Sequence, residues 1–194
     1  MGIAYDQQLE WKKSFVESSL KRIGKLADSV SVRMHGSPSP YSYRNRVLIR
    51  AHLAEGALKL GYFKRATREL VPIGRCEIAA EPLNAVLKAL VASDLSAIPP
   101  VKVRLELQEL PSDEGPRVVV TVYPGEGDPP AIRQLIERVR GLPNVLWAGH
   151  VFDLETAPLF PFDHDLGLTF FTRPGQFQQV NLDLNRTLRR LVKE

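Results

Sequence analysis

Near the C-terminal end of the chain, Phe177, Gln178, Gln179, Val180 and Asn181 follow a Pro174-Gly175 turn. Gln179 carries an amide that offers donors and an acceptor together, which suits ligand recognition as well as the end of a strand. Phe177 has two readings, an aromatic face for an extruded nucleobase or a core side chain. Further upstream, residues 41–76 hold eight basic side chains against Glu55 and Glu69, a local charge of +6 in a chain of net charge +4. Such a concentration attracts phosphate backbones, although a solvated charged hairpin has the same composition. Arg44 and Arg46 are two apart on a predicted strand and so share a face, and Arg50 continues it as a phosphate-tracking row. The same alternation places Tyr43, Asn45, Val47 and Ile49 on the opposite face. Cys76, flanked by Arg75 and Glu77, is the one cysteine.

Other groupings are weaker. Residues 124–128 hold two glycines but no Lys-Ser/Thr pair, so they read as a strand-to-helix turn and not a phosphate loop. Asp163, His164 and Asp165, with His150 and Asp153 upstream, match no common zinc spacing and read as a polar loop beside Pro158 and Pro161.

The elements that must position these residues follow from periodicity. An amphipathic helix is predicted over residues 6–26, with Leu9, Val16, Leu20 and Ile23 on one stripe. Residues 35–40, rich in Pro, Gly and Ser, form a linker. Strands are predicted over 43–53 and 57–63 around a turn at 54–56, with a short strand at 69–73. A helix follows at 81–91, with Pro82 in its first turn and Leu83, Val86, Leu87 and Leu90 on one face. Val101, Val103, Leu105 and Leu107 alternate with polar residues, as in a sheet with one wet face. A turn at 111–115 leads to a β-prone run at 118–122, then a helix at 131–140 and strands at 144–151 and 166–171. Asn181 caps a last helix that is expected to bury Leu184, Leu188, Leu191 and Val192. This order predicts an α+β fold with a mainly antiparallel sheet, a few packing helices, and helices flanking at both ends.

Composition narrows the class. With 44% apolar residues in 194, a sizeable core can be buried. No run of roughly 18 apolar residues exists, so no membrane span is predicted. The N-terminus lacks a basic and apolar leader, and one cysteine precludes an internal disulfide, which together point to the cytoplasm.

Three segments, in order along the chain, resemble the RNA (uracil-5-)-methyltransferase family: residues 8–12 (Gln-Leu-Glu-Trp-Lys), residues 43–46 (Tyr-Arg-Asn-Arg) with 60–63 (Leu-Gly-Tyr-Phe), and Phe177-x-Gln179-Val180-Asn181. The resemblance implies that Gln179 contacts S-adenosylmethionine near the target uracil, and that Cys76 occupies the position of a fourth ligand to a [4Fe–4S] cluster. The three upstream cysteines of cluster-bearing members have no counterpart here, so no cluster is expected in this chain alone. It further implies a cysteine nucleophile, an acidic base and a Rossmann-like cofactor domain beyond the Asn181 position, none of them in this sequence.

On that reading the chain divides into an N-terminal helix (1–30), a central α+β domain of RNA-binding type (31–180), and the first helix leading toward a methyltransferase domain (181–194). It would be the central portion of an enzyme acting on rRNA or tRNA, inactive alone, with Arg44, Arg46, Arg50 and Phe177 toward RNA. Its partners would be the RNA and the catalytic domain of the same polypeptide. The alternative is a stand-alone basic α+β RNA-binding module without enzymatic activity.

Overall fold

The computed structural model describes residues 2–26, 30–110 and 115–193. Alternating side chains build its centre. β1 (Arg46–Ala54) and β2 (Ala57–Phe63) form a hairpin. Both residues of its tight turn take positive φ, +52° at Glu55 and +75° at Gly56, the twist that two-residue hairpin loops require. β3 (Leu70–Pro72) lies at the edge, where a proline costs no internal ladder bond. On the other side of β1 run β4 (Val101–Leu110), β5 (Arg117–Glu126) and β6 (Val145–His150), giving the order β3-β2-β1-β4-β5-β6. All pairs are antiparallel except β5–β6, which is parallel because a helical crossover joins them. The predicted turn at 111–115 falls, in residues 111–114, outside the described residues.

Two helices cover one face. α2 (Glu81–Val91) buries Leu83, Val86, Leu87 and Leu90, and α3 (Pro129–Arg140) buries Ala131, Ile132, Leu135, Ile136 and Val139. Opposite them stand Val47, Ile49, Ala51 and Leu53 of β1, the odd-numbered apolar residues of β4, and Val118, Val120 and Val122 of β5. Asp128 caps α3 by accepting the Ala131 amide at 2.8 Å; of the turn expected at 124–128, residues 124–126 are the end of β5 and only Gly127 and Asp128 make the passage to the helix.

The reverse face is only partly covered. There Leu110 and Val119 pack with Phe162, flanked by Trp147, Phe160, Phe170 and Leu182. These aromatics come from a second hairpin, β7 (Phe160–Asp165) with β8 (Leu168–Thr172), and from the start of α4 (Leu182–Lys193). β7 replaces the polar loop expected at Asp163-His164-Asp165. Its charged residues hide a strand whose Phe162, Asp163 and Asp165 are all buried.

The terminal helices depart from expectation. α4 buries none of its residues, and Leu188, Leu191 and Val192 are exposed, Val192 at 80%. Beyond the partly buried Leu182 at its start, its attachment is electrostatic: Arg186 and Arg189 converge on Asp163, and Arg189 and Arg190 on Asp165. α1 (Tyr5–Arg22) likewise buries no residue, so the predicted stripe of Leu9, Val16, Leu20 and Ile23 does not enter a core. Contacts to the chain around residues 36–37 hold it, including the Ser37 amide donating to the Tyr5 hydroxyl at 2.7 Å.

Candidate functional site

The segment from Arg173 to Asn181 has no regular ladder, yet it is stapled at several points. The Arg173 amide donates to the Gln176 side chain at 2.8 Å, closing a turn in which Gly175 takes φ +77°. A Cβ at Gly175 would also lie 2.7 Å from Leu154, so both conformation and space call for glycine there. Arg46 donates to the Gln176 carbonyl at 2.6 Å, and the Asn45 amide donates to the Val180 carbonyl at 2.9 Å. Asn181 accepts the Leu184 amide at 3.0 Å as the cap of α4, and its amide nitrogen donates to Ser37 at 3.0 Å. The predicted cap is therefore present and serves a second contact.

Between these staples the side chains alternate. Gln178 is buried, whereas Phe177 and Gln179 face solvent, Phe177 at 83% exposure. The structure thus excludes the core reading of Phe177 and leaves its ring exposed two residues before the exposed Gln179, on the segment that leads into α4.

The arginine row separates into three different roles. Arg44 is half-buried, with its backbone bridged to Ala79. Arg46 is committed within the fold, pairing with Glu106 at 2.6 Å while holding the Gln176 carbonyl. Arg50 lies 4.4 Å from the centre of the Phe63 ring, a cation–π contact that leaves its charge unneutralised. Alternation had placed Arg46 and Arg50 on one face correctly; the residues opposite them decide which is free.

Cys76 is 7% exposed, on the α2 side of the sheet. The Tyr62 hydroxyl donates to its sulfur at 3.7 Å, and burial, followed by that bond, pushes the Tyr62 pKa up to about 12. Asn84 clamps the Cys76 backbone at both its amide and its carbonyl. Among the described residues no cluster of His, Cys, Asp and Glu could hold a metal ion. A [4Fe–4S] centre takes four thiolates as a rule, and this chain offers one thiol, buried beneath a tyrosine.

His150 and Asp153 form a reciprocal cap on a single 3-10 turn at Val151–Asp153. Asp163 and Asp165 form the arginine clamp. Its signal was present in the sequence, as Asp-x-Asp at strand spacing and Arg186, Arg189 and Arg190 on one helical face. Burial alone would raise the Asp163 carboxyl, but hydrogen bonds from Arg186 and Arg189 outweigh it and hold the group below the usual carboxylate range. Arg189 also lies 4.4 Å over the Phe170 ring. The clamp thereby fixes α4, and with it the segment bearing Phe177 and Gln179.

Comparison with known proteins places this geometry. No protein-family profile matches the chain. A protein described as an uncharacterized RNA methyltransferase from Clostridium acetobutylicum is 36% identical over 88 residues, 44% of this chain and 19% of that protein. A second, from Thermosynechococcus vestitus, is 32% identical over 88 residues, 45% of this chain and 20% of its own length. The crystal structure of Pyrococcus abyssi tRNA (uracil-54, C5)-methyltransferase, in complex with S-adenosyl-L-homocysteine, superimposes over 98% of the chain with a TM-score of 0.61 at 16% identity. The chain is thus similar in sequence to proteins described as RNA methyltransferases, and in fold to the solved tRNA (uracil-54, C5)-methyltransferase. It spans about a fifth of the curated relatives it matches and 48% of the solved neighbour. The mixed sheet with helices at both ends lies within the 98% of the chain that shares the fold of that neighbour. Among the described residues no helix is long and apolar enough to cross a membrane.

Proposed function

We propose that this chain forms the RNA-substrate portion of an S-adenosylmethionine-dependent RNA uracil-C5 methyltransferase, and that it supplies one wall of the cofactor and uracil site. The observation that carries this is the presentation of Phe177 and Gln179 on a segment stapled to β1, to Ser37 and to α4. Both side chains face outward while Gln178 is buried between them. Gln179 fits an amide contact to the cofactor, which supplies the methyl group when bound. Phe177 fits a stacking face for the extruded base. Holding these groups in advance lowers the ordering cost of binding.

No side chain of this chain serves as the nucleophile on this reading. Cys76 is buried beneath Tyr62, so the reactive thiolate comes from another part of the enzyme. The substrate is a uridine in tRNA or rRNA, drawn to the surface by the basic segment.

Substitution tests the assignment. In the enzyme containing this chain, Gln179→Ala should leave Tm unchanged, because the side chain is exposed, and should weaken S-adenosylmethionine binding and 5-methyluridine formation together. Phe177→Ala should lower 5-methyluridine formation while leaving cofactor binding intact. Wild-type methylation by both variants would overturn the proposal.

A further inference from the structure

Part of the sheet face opposite α2 and α3 is uncovered, and basic side chains gather on it across neighbouring strands. Arg50 of β1 stands directly opposite Arg104 of β4. One rung further, His52 stands between Lys102 of β4 and Lys59 of β2. Like charges directly opposite in an antiparallel pair are destabilising. The nearby carboxylates only partly relieve them. Glu106 is taken by Arg46 and Glu126 by Lys102, and among the described residues neither Arg50 nor Arg104 forms an ion pair. Each lies over a ring instead, Arg50 over Phe63 at 4.4 Å and Arg104 over Tyr123 at 5.1 Å. Burial, and then the charge of Lys102, lower the His52 pKa, as expected in a positive field.

The surface has a direction. Along β1 the uncovered residues run from His52 through Arg50 to the exposed Leu48, and the next residue on that face, Arg46, holds the Gln176 carbonyl. Glu106 joins the two regions, accepting from Arg46 and from the Tyr123 hydroxyl at 3.5 Å. The uncovered cations therefore lead toward the segment that displays Phe177 and Gln179.

We propose that this face, centred on Arg50, Arg104, Phe63 and Tyr123, is a docking platform for the single-stranded RNA flanking the target nucleotide. The inference rests on the RNA-binding reading above and assigns it a surface. Charge complementarity selects the occupant. Unneutralised cations in register take phosphates, and guanidinium planes laid on aromatic rings offer stacking faces for bases. The like-charged Arg50–Arg104 rung, unfavourable in the free protein, becomes favourable once a polyanion lies across it.

The test measures anisotropy of a labelled uridine-rich RNA, about 12 nucleotides long, binding to the whole chain at several salt concentrations. The double variant Arg50→Gln/Arg104→Gln should bind about tenfold more weakly, with its salt slope reduced by about 1.4, or about 0.7 for each lost phosphate contact. The charge-matched control Arg133→Gln/Arg138→Gln, on the exposed side of α3, should stay within about twofold of wild type. Tm of the platform variant should lie within about 3 °C of wild type, because lost repulsion offsets lost ring contact. RNA binding that survives the platform substitutions, or falls equally in the control, overturns the platform while leaving the RNA-binding reading intact. Wild-type protein without salt-dependent RNA binding overturns both. Inorganic polyphosphate competing as well as RNA at equal charge marks an anion surface without base contact, and overturns the platform as stated.

Discussion

Asp163→Asn probes the device that positions the candidate site. The Asp163 side chain is fully buried and accepts from Arg186 Nε at 3.0 Å, from Arg186 Nη2 at 2.5 Å and from Arg189. The substitution keeps the volume but removes the charge, leaving two guanidinium groups facing a neutral amide. Breaking a fully buried pair costs about 3–5 kcal/mol, and an exposed pair contributes about 1 kcal/mol or less. Arg186 and Arg189 retain 32% and 18% side-chain exposure, so both can turn partly toward water. The expected loss is therefore about 2–3 kcal/mol, a fall in Tm of about 4–12 °C in a chain of this size. α4 buries no apolar residue to compensate, so the loss should begin there. Hydrogen exchange should accelerate over Leu182–Lys193 before the sheet is affected. The effect should also depend on pH. The folded carboxyl lies below its ordinary value of 3.8, so its stabilisation is present above that value and is lost as pH falls through the folded pKa. Asp163→Asn should therefore flatten the acid limb of the stability profile below about pH 4. Unchanged Tm together with unchanged α4 protection would refute the reasoning.

Three further outcomes are expected. Asn84→Ala removes three buried hydrogen bonds, one accepted from the Cys76 amide and two donated to the Cys76 and Ala79 carbonyls; chemical denaturation should show a loss of about 3 kcal/mol. Gly61→Ala would bring a Cβ to 2.0 Å from the Val71 carbonyl oxygen, and because that atom is backbone, β3 should separate at a cost of about 1–3 kcal/mol, seen as faster exchange at the β2–β3 edge. In an absorbance titration one tyrosine should ionise only near pH 12, and Tyr62→Phe should abolish that step. Since the native state holds that proton more tightly, the associated stability is full up to the ordinary value of 10.0 and is lost as pH rises through about 12.

Much of the fold was legible because burial is periodic. The helix at 81–91 and the strand at 57–63 coincide with the observed elements, and β4 was visible because Val101 to Leu107 alternate against a helix-covered face. β7 was not legible. Pro161 and three charged or polar residues obscure Phe160 and Phe162, and its carboxylates can be buried only because arginines 23–26 positions later meet them. The apolar stripe of α4 misled for a related reason. Periodicity identifies an apolar face without saying whether anything in this chain lies against it, and here the charged face makes the attachment.

The candidate site divides in the same way. Residue types and spacing along one segment determined by themselves that Asn181 would cap a helix and that Arg46 and Arg50 would share a face, since both are properties of local backbone geometry. The segment's resemblance to the family supplied the interest in Gln179. The tertiary structure alone decided that Phe177 projects into solvent, that Arg46 is neutralised by Glu106, and that Arg50 is left facing Arg104. Each depends on which residue a distant strand brings opposite, and the charge remaining on a side chain is set by that neighbour.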